Sequence, residues 1–185
     1  GVINRDEKTC ITEVARPMGV IAAITPCTNP IVTPMCNAMY AIKGRNAIII
    51  APHPRAKKCA KVVTDLFRKE IEKQGAPADL VLLVEEPSTA LSAELMSKCD
   101  VVVATGGMGM VKAAYSSGKP AYGVGAGNVQ CIIDRGVNYA EAAPKIIEGR
   151  RFDNGIICSG EQTIILPKED YAEIIEIFVK NGCAY

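Results

Sequence analysis

The sequence predicts an α/β fold: a doubly wound, mostly parallel sheet, followed by the start of a second α/β domain. Three observations carry this. Short apolar runs recur at Val20–Ile24, Ala47–Ile50, Leu80–Val84 and Val101–Ala104, each closed by Gly, Pro or polar turn residues. Helix-length stretches separate them, and continuous apolar strands alternating with helices argue for a parallel sheet covered on both faces. The composition is 49% apolar but only 5% aromatic, dominated by Ala, Val, Ile and Gly. Such residues suit close packing of helices on a sheet. A chain of 185 residues buries roughly two-thirds of its surface on folding, enough for a real core.

Taken in order, residues 1–18 form an arm without a core of its own. Thr9–Val14 alternates as a strand with one wet face, and Arg16-Pro17-Met18-Gly19 breaks it. The arm needs another surface to lean on, such as a partner subunit. Val20–Ile24 is a buried strand, Thr25-Pro26-Cys27-Thr28-Asn29-Pro30 a loop, and 31–43 a helix. Ala47–Ile50 is the second strand. After the loop Ala51-Pro52-His53-Pro54, residues 55–74 form a long helix with Val62, Val63, Leu66, Glu70 and Ile71 at helical spacing, stopped by Gly75-Ala76-Pro77. A strand at Leu80–Val84 and a helix at Ser88–Ser97 follow. The strand Val101–Ala104 then runs into Thr105-Gly106-Gly107-Met108-Gly109 and a helix to Ser116, and Pro120–Val124 is a short strand. This winding is of a nucleotide-binding kind.

The pattern changes at Gly125-Ala126-Gly127-Asn128, which sets an expected boundary: 1–125 as a cofactor-binding domain, 126–185 as the beginning of a second domain. The second part holds a strand at Gln130–Ile133, a helix at Tyr139–Arg150, a cysteine turn, a strand at Thr163–Pro167 and a helix at Lys168–Lys180. Some 60 residues without a closed core suggest a piece of a longer protein, cut at both ends.

Several classes are disfavoured. A formal net charge of +1 gives no support for a nucleic-acid or membrane partner. Eight cysteines are scattered without a C-x-x-C pair, and His53 is the single histidine, so no metal site is expected. Such cysteines fit a reducing cytoplasm. No signal peptide or long apolar span stands in the sequence.

Four stretches are candidates for chemistry, each with a plain alternative. Cys158, on the turn Phe152-Asp153-Asn154-Gly155-Ile156-Ile157-Cys158-Ser159-Gly160, is a nucleophile if nearby N–H groups stabilise its thiolate, or else a small apolar residue. Thr105-Gly106-Gly107 can approach a pyrophosphate at a helix start, or can simply be a tight turn. His53, Arg55, Lys57 and Lys58 follow the second strand, where a doubly wound sheet reads the adenosine ribose; they tolerate a 2′-phosphate, or form a solvated loop. Asn29 can donate to an oxyanion, or serve as a turn residue before Pro30.

Together these residues carry a resemblance that none carries singly. Pro17-Met18-Gly19-Val20, Thr25-Pro26-Cys27-Thr28-Asn29-Pro30, Ala51-Pro52-His53-Pro54-Arg55-Ala56, Ala104-Thr105-Gly106-Gly107, Gly123-Val124-Gly125-Ala126-Gly127-Asn128 and Phe152–Cys158 occur in one order at one spacing. The chain resembles the aldehyde dehydrogenase superfamily over nearly its whole length. The resemblance is to the CoA-acylating branch, which includes acetaldehyde, succinate semialdehyde and sulfoacetaldehyde dehydrogenases of that type.

The resemblance implies Cys158 as nucleophile, with Asn29 and the Cys158 N–H at the oxyanion. It implies Thr25, Pro26 and Cys27 along the nicotinamide ribose, His53, Pro54 and Arg55 near the adenosine, Thr105, Gly106 and Gly107 near the pyrophosphate, and Gly125 bordering the nicotinamide. NAD or NADP is the expected cofactor, coenzyme A the co-substrate and a small aldehyde the substrate. A homo-oligomer is expected, in the cytoplasm or in a bacterial enzyme compartment.

Two departures from the hydrolytic branch stand out. That branch has a glutamate before a Gly-Gly pair to activate water. Here Tyr122-Gly123-Val124-Gly125-Ala126-Gly127-Asn128 has no carboxylate, and without a base the attack of water on a thioester is slow. Asn29 also stands three residues after Pro26, where hydrolytic relatives have Pro-Trp-Asn; the acylating type shares the Thr-Asn-Pro form. The rival readings are a hydrolytic aldehyde dehydrogenase, a reductase of acyl phosphates, and a non-catalytic nucleotide-binding or assembly module.

Overall fold

The computed structural model describes residues 1–184; Tyr185, the last residue of the expected second domain, lies outside the described residues. The chain forms two compact units, Gly1–Gly125 and a second beginning at Ala126.

The first unit opens with an antiparallel hairpin, β1 (Val2–Asp6) and β2 (Ile11–Val14). The sequence reading had a single strand over Thr9–Val14. Instead Thr9 and Cys10 lie in the hairpin turn, where Asp6 Oδ1 accepts from the Lys8 N–H at 2.9 Å and Cys10 takes a positive φ of 56°. The apolar side chains of this hairpin, Val2, Ile3, Ile11 and Val14, are exposed.

The sheet follows: β3 (Val20–Thr25), α1 (Val32–Lys43), β4 (Ala47–Pro52), α2 (Lys57–Lys73), β5 (Val81–Leu83), α3 (Thr89–Lys98), β6 (Val101–Thr105), α4 (Met108–Tyr115) and β7 (Ala121–Val124). The strand order is β5-β4-β3-β6-β7, all parallel. The chain winds outward from β3 to β5, then returns to β6 on the other side of β3. This is the doubly wound arrangement.

Alternation along β3 supplies both faces. Ala22 and Ile24 pack with Met96 of α3, Cys99 just beyond it and Ala114 of α4. Ala23 packs on the opposite face with Ala38 and Ala41 of α1, and with Phe67 and Ile71 of α2. Alanines at these positions let the helices approach the sheet closely. Of the α2 residues read at helical spacing, Val63 is buried and Ile71 packs on the core, while Val62 and Leu66 are exposed; Ala60 and Thr64 are buried as well.

The entry to β3 is clamped. Asn46 Oδ1 accepts from the Met18 and Gly19 N–H groups at 2.6 and 3.0 Å, and Asp100 Oδ2 accepts from Val20 N–H at 2.8 Å. Gly19 has φ 121°, and a Cβ there would meet the Asp100 carboxylate.

The second unit contains β8 (Val129–Ile132), α5 (Tyr139–Arg151), β9 (Glu161–Ile165) and α6 (Tyr171–Lys180), with β8 and β9 parallel. Ile133, Ala143, Ile174 and Phe178 form its core. The last strand begins two residues earlier than the sequence reading, and α6 starts at Tyr171 rather than Lys168.

Candidate active site

The sheet register gathers the predicted cofactor residues of the first unit along one edge. At the carboxyl ends of the strands, Thr25 pairs with Pro52, Ile24 with Ala104, and Thr105 with Val124. The loops that follow carry Pro26–Pro30, His53–Arg55, Gly106–Gly107 and Gly125. The winding reverses between β3 and β6, so a crevice is expected outside the carboxyl ends of this pair.

After β3, Thr25 is buried and its carbonyl accepts from His53 N–H at 3.0 Å. This bond ties the first loop to the second. Pro26 is half-buried and Cys27 exposed. Asn29 Oδ1 accepts from the Val32 N–H at 3.1 Å, in the first turn of α1, which has no other side-chain cap. With the carbonyl oxygen so engaged, the Asn29 Nδ2 group remains as a donor with no partner among the described residues.

After β4, His53 Nδ1 accepts from Arg55 N–H at 3.2 Å, capping the short 3-10 turn Pro54–Ala56 that leads into α2. Pro54 and Arg55 are exposed. The basic residues beyond are not free in the way their sequence suggests. Lys57 Nζ contacts both oxygens of Glu86, at 2.6 and 2.9 Å, and Lys61 Nζ contacts Glu85 Oε1 at 3.0 Å. The Glu85 hydrogen bond, with Asp65 also close, holds the Lys61 ammonium above its ordinary pKa.

After β6, Thr105 is half-buried and Gly106 N–H donates to Val124 O at 3.0 Å. Gly107 is the N-cap of α4, with no side-chain cap. Apart from chain neighbours, no atom of the described residues lies within 4 Å of where a Cβ would stand on Gly106 or Gly107. Open space over the two glycines lets a ligand approach, and the uncapped helix start leaves N–H donors that suit a pyrophosphate.

After β7, a Cβ on Gly125 would meet the Met108 sulfur. One turn back, the Tyr115 hydroxyl accepts from Gly123 N–H at 3.0 Å and donates to Gly123 O at 3.3 Å. A Cβ on Gly123 would stand 2.8 Å from the Tyr115 ring and 2.7 Å from Val111 Cγ1. The carboxylate-free segment is therefore closed to side chains at this position by α4.

Cys158 belongs to the second unit, on the loop between α5 and β9. Asp153, Asn154 and Gly155 all take left-handed backbone, with φ of 50°, 54° and 69°. Asn, Asp and Gly are the residues that tolerate this region. The reversal folds the loop back on the last turn of α5, where Arg150 Nη1 donates to Gly155 O at 3.3 Å. Ile157 O then accepts from Gly160 N–H at 3.3 Å, which makes Cys158 the first central residue of a tight turn. Its side chain is exposed, and its N–H carries no backbone acceptor among the described residues.

Burial pushes the thiols of Cys99 and Cys131 up from their ordinary pKa. Among the described residues, no group of three or more His, Cys, Asp or Glu is placed to hold a metal. Among the described residues, no helix is long and apolar enough to cross a membrane.

Sequence reasoning missed Glu85, Glu86, Tyr115 and Arg150. The doublet Glu85-Glu86 and the i,i+4 pair Lys57 and Lys61 were visible signals, but their pairing depends on β5 lying beside β4.

The aldehyde dehydrogenase family model matches residues 1–182. The chain is 57% identical, over all 185 residues, to succinate-semialdehyde dehydrogenase (acetylating) of Clostridium kluyveri, of which it covers 41%. Its fold is similar to that of an acetylating aldehyde dehydrogenase from Geobacillus thermoglucosidasius, with TM-score 0.88, 42% identity, and coverage of 98% of this chain and 41% of that one. It is also similar to Rhodopseudomonas palustris propionaldehyde dehydrogenase with bound CoA and an acylated cysteine, with TM-score 0.79, 38% identity, and coverage of 90% and 38%. The chain thus spans about two-fifths of the length of these relatives. Matched by the family model over almost its whole length, the chain belongs to the aldehyde dehydrogenase family.

Proposed function

We propose that residues 1–125 form the cofactor-binding domain, and residues 126–185 the nucleophile-bearing start of the catalytic domain, of a CoA-acylating aldehyde dehydrogenase. The enzyme interconverts a short aldehyde and its acyl-CoA with NAD or NADP. Thr25, Pro26 and Cys27 flank the nicotinamide ribose, His53, Pro54 and Arg55 the adenosine, and Thr105, Gly106 and Gly107 the pyrophosphate, while Gly125 borders the nicotinamide. The shared strand edge and the uncapped start of α4 support this placement.

Cys158 is the nucleophile. Its thiolate sulfur bonds to the aldehyde carbon, and the carbonyl electron pair moves to oxygen. The resulting oxyanion takes hydrogen bonds from the Cys158 N–H and from Asn29 Nδ2, both left without acceptors among the described residues. The bound nicotinamide cofactor supplies a hydride acceptor. The electron pair on oxygen re-forms the carbonyl as the hydrogen on that carbon leaves as hydride, and Cys158 is left as a thioester. A CoA thiolate attacks the acyl carbon, the bond to Cys158 breaks, and the cysteine thiolate is released with acyl-CoA. The reverse sequence reduces an acyl-CoA to the aldehyde.

One observation carries the choice of thiol over water: Tyr122–Asn128 offers no carboxylate. Water needs a base to attack the thioester, and a thiolate does not. The relatives with acetylating activity in their names support the same choice. The exposed apolar hairpin supports a homo-oligomer in which a second copy covers it. The free cysteines support a reducing cytoplasm, or an enzyme compartment within it.

The test is a screen of the full-length protein with acetaldehyde, succinate semialdehyde and sulfoacetaldehyde, with each nicotinamide cofactor, with and without CoA. The expected product is acyl-CoA, formed only when CoA is present. CoA-independent oxidation to the free acid contradicts the proposal.

A further inference from the structure

The amino end of α2 looks basic in sequence, with Arg55, Lys57, Lys58 and Lys61. In space much of that charge is already committed. Lys57 Nζ sits across both carboxylate oxygens of Glu86, and Lys61 Nζ is shared by Glu85 and Asp65. The Arg55 N–H is taken by His53 Nδ1. Both glutamates follow β5, the strand beside β4, so they face the loop that begins at His53. Glu86 is 84% exposed, and its negative charge remains accessible to an approaching ligand. Of these four cations, the Arg55 guanidinium and the Lys58 ammonium are without partners among the described residues.

NAD and NADP differ here by one phosphate on the ribose 2′ oxygen. To reach Lys57, that phosphate must first displace the Glu86 carboxylate and then lie near it. A ribose hydroxyl faces neither cost. An exposed ion pair is weak enough to exchange on binding. We infer that Glu86 is a specificity-determining residue of the adenosine site: by holding Lys57, it weighs against the 2′-phosphate. The inference rests on the cofactor-site reading given above. Glu86 thereby tunes the NADP-to-NAD ratio without touching the nicotinamide end.

The experiment is equilibrium titration of NAD and NADP, by calorimetry, into the full-length protein and its Glu86→Gln, Lys57→Met and Glu86→Gln/Lys57→Met variants. Glu86→Gln tightens NADP about fivefold to tenfold, a gain of the size expected for releasing one ammonium to a phosphate. NAD affinity stays within about twofold. Lys57→Met in the Glu86→Gln background removes that gain. The gain also shrinks as salt is raised from low to physiological strength. Circular dichroism checks that each variant is folded. An unchanged NADP-to-NAD ratio in Glu86→Gln overturns the inference, and so does a gain that survives Lys57→Met. Both leave the cofactor site standing if NAD still binds. Failure of the parent protein to bind either cofactor defeats the site itself.

Discussion

Gly123→Ala is a small change with a large expected cost. The new Cβ would lie 2.8 and 3.1 Å from two Tyr115 ring carbons and 2.7 Å from Val111 Cγ1. The backbone itself is not at fault, because Gly123 is not among the positive-φ glycines. The ring has to move, and both hydrogen bonds between Tyr115 and Gly123 go with it. Overpacking of this kind costs about 1–3 kcal/mol. The two bonds add about 0.5 kcal/mol each at this exposed site, the low end for neutral pairs. The sum is about 2–4 kcal/mol. Tyr115→Ala alone costs about 1–2 kcal/mol, because the ring is more than half exposed. In the double variant only the Val111 contact remains, so the two changes are coupled by about 1 kcal/mol. The assay is a double-mutant cycle by urea unfolding of the full-length protein, followed by circular dichroism. Costs that add to within about 0.3 kcal/mol would refute the claim that α4 closes Gly123 to side chains.

Two further outcomes concern stability. Asn46→Ala removes the acceptor of two N–H groups at the entry to β3, one of them part-buried; unfolding should be easier by about 2 kcal/mol, and a change under about 0.5 kcal/mol contradicts the clamp. The Tyr139 hydroxyl donates to Asp170 Oδ2 at 2.7 Å. That bond first, with desolvation and the Asp170 charge, pushes its pKa up to about 12. A phenol raised above its unfolded value near pH 10 adds stability that is complete below about pH 10 and is lost as pH rises through about 12. A Tyr139→Phe variant should therefore lose the part of the alkaline stability decline that falls in this window, and an unchanged decline contradicts the assignment.

Much of the sheet was legible because a parallel strand buried on both faces is a continuous apolar run. The same logic hid β1. Its sequence, Val2-Ile3-Asn4-Arg5-Asp6, forms a solvent-exposed hairpin strand without a buried face, so no apolar pattern marks it. Nor did apolar spacing alone mark the core face of α2, where small Ala60 and polar Thr64 are buried beside Val63 while Val62 and Leu66 are exposed. Strand order is not written in any one segment; it emerges only when β6 returns beside β3. The candidate residues of the site were readable by type, as glycines, an asparagine and a cysteine on turns. Their partners were not. Lys57 and Glu86 stand 29 residues apart, and the basic loop looks open to a phosphate until that pair is seen. Tyr115 in α4 gives no sign in sequence that its hydroxyl meets Gly123.

The central claim is that Cys158 carries an acyl group that waits for a thiol. The direct measurement is mass spectrometry of the Cys158 peptide after the full-length enzyme is mixed with aldehyde and oxidised cofactor, without CoA. The acyl mass should appear on Cys158, persist in buffer, and vanish on addition of CoA as acyl-CoA forms; Cys158→Ala should show none. An acyl group that discharges to free acid in buffer as fast as with CoA, or that sits on another residue, contradicts the account.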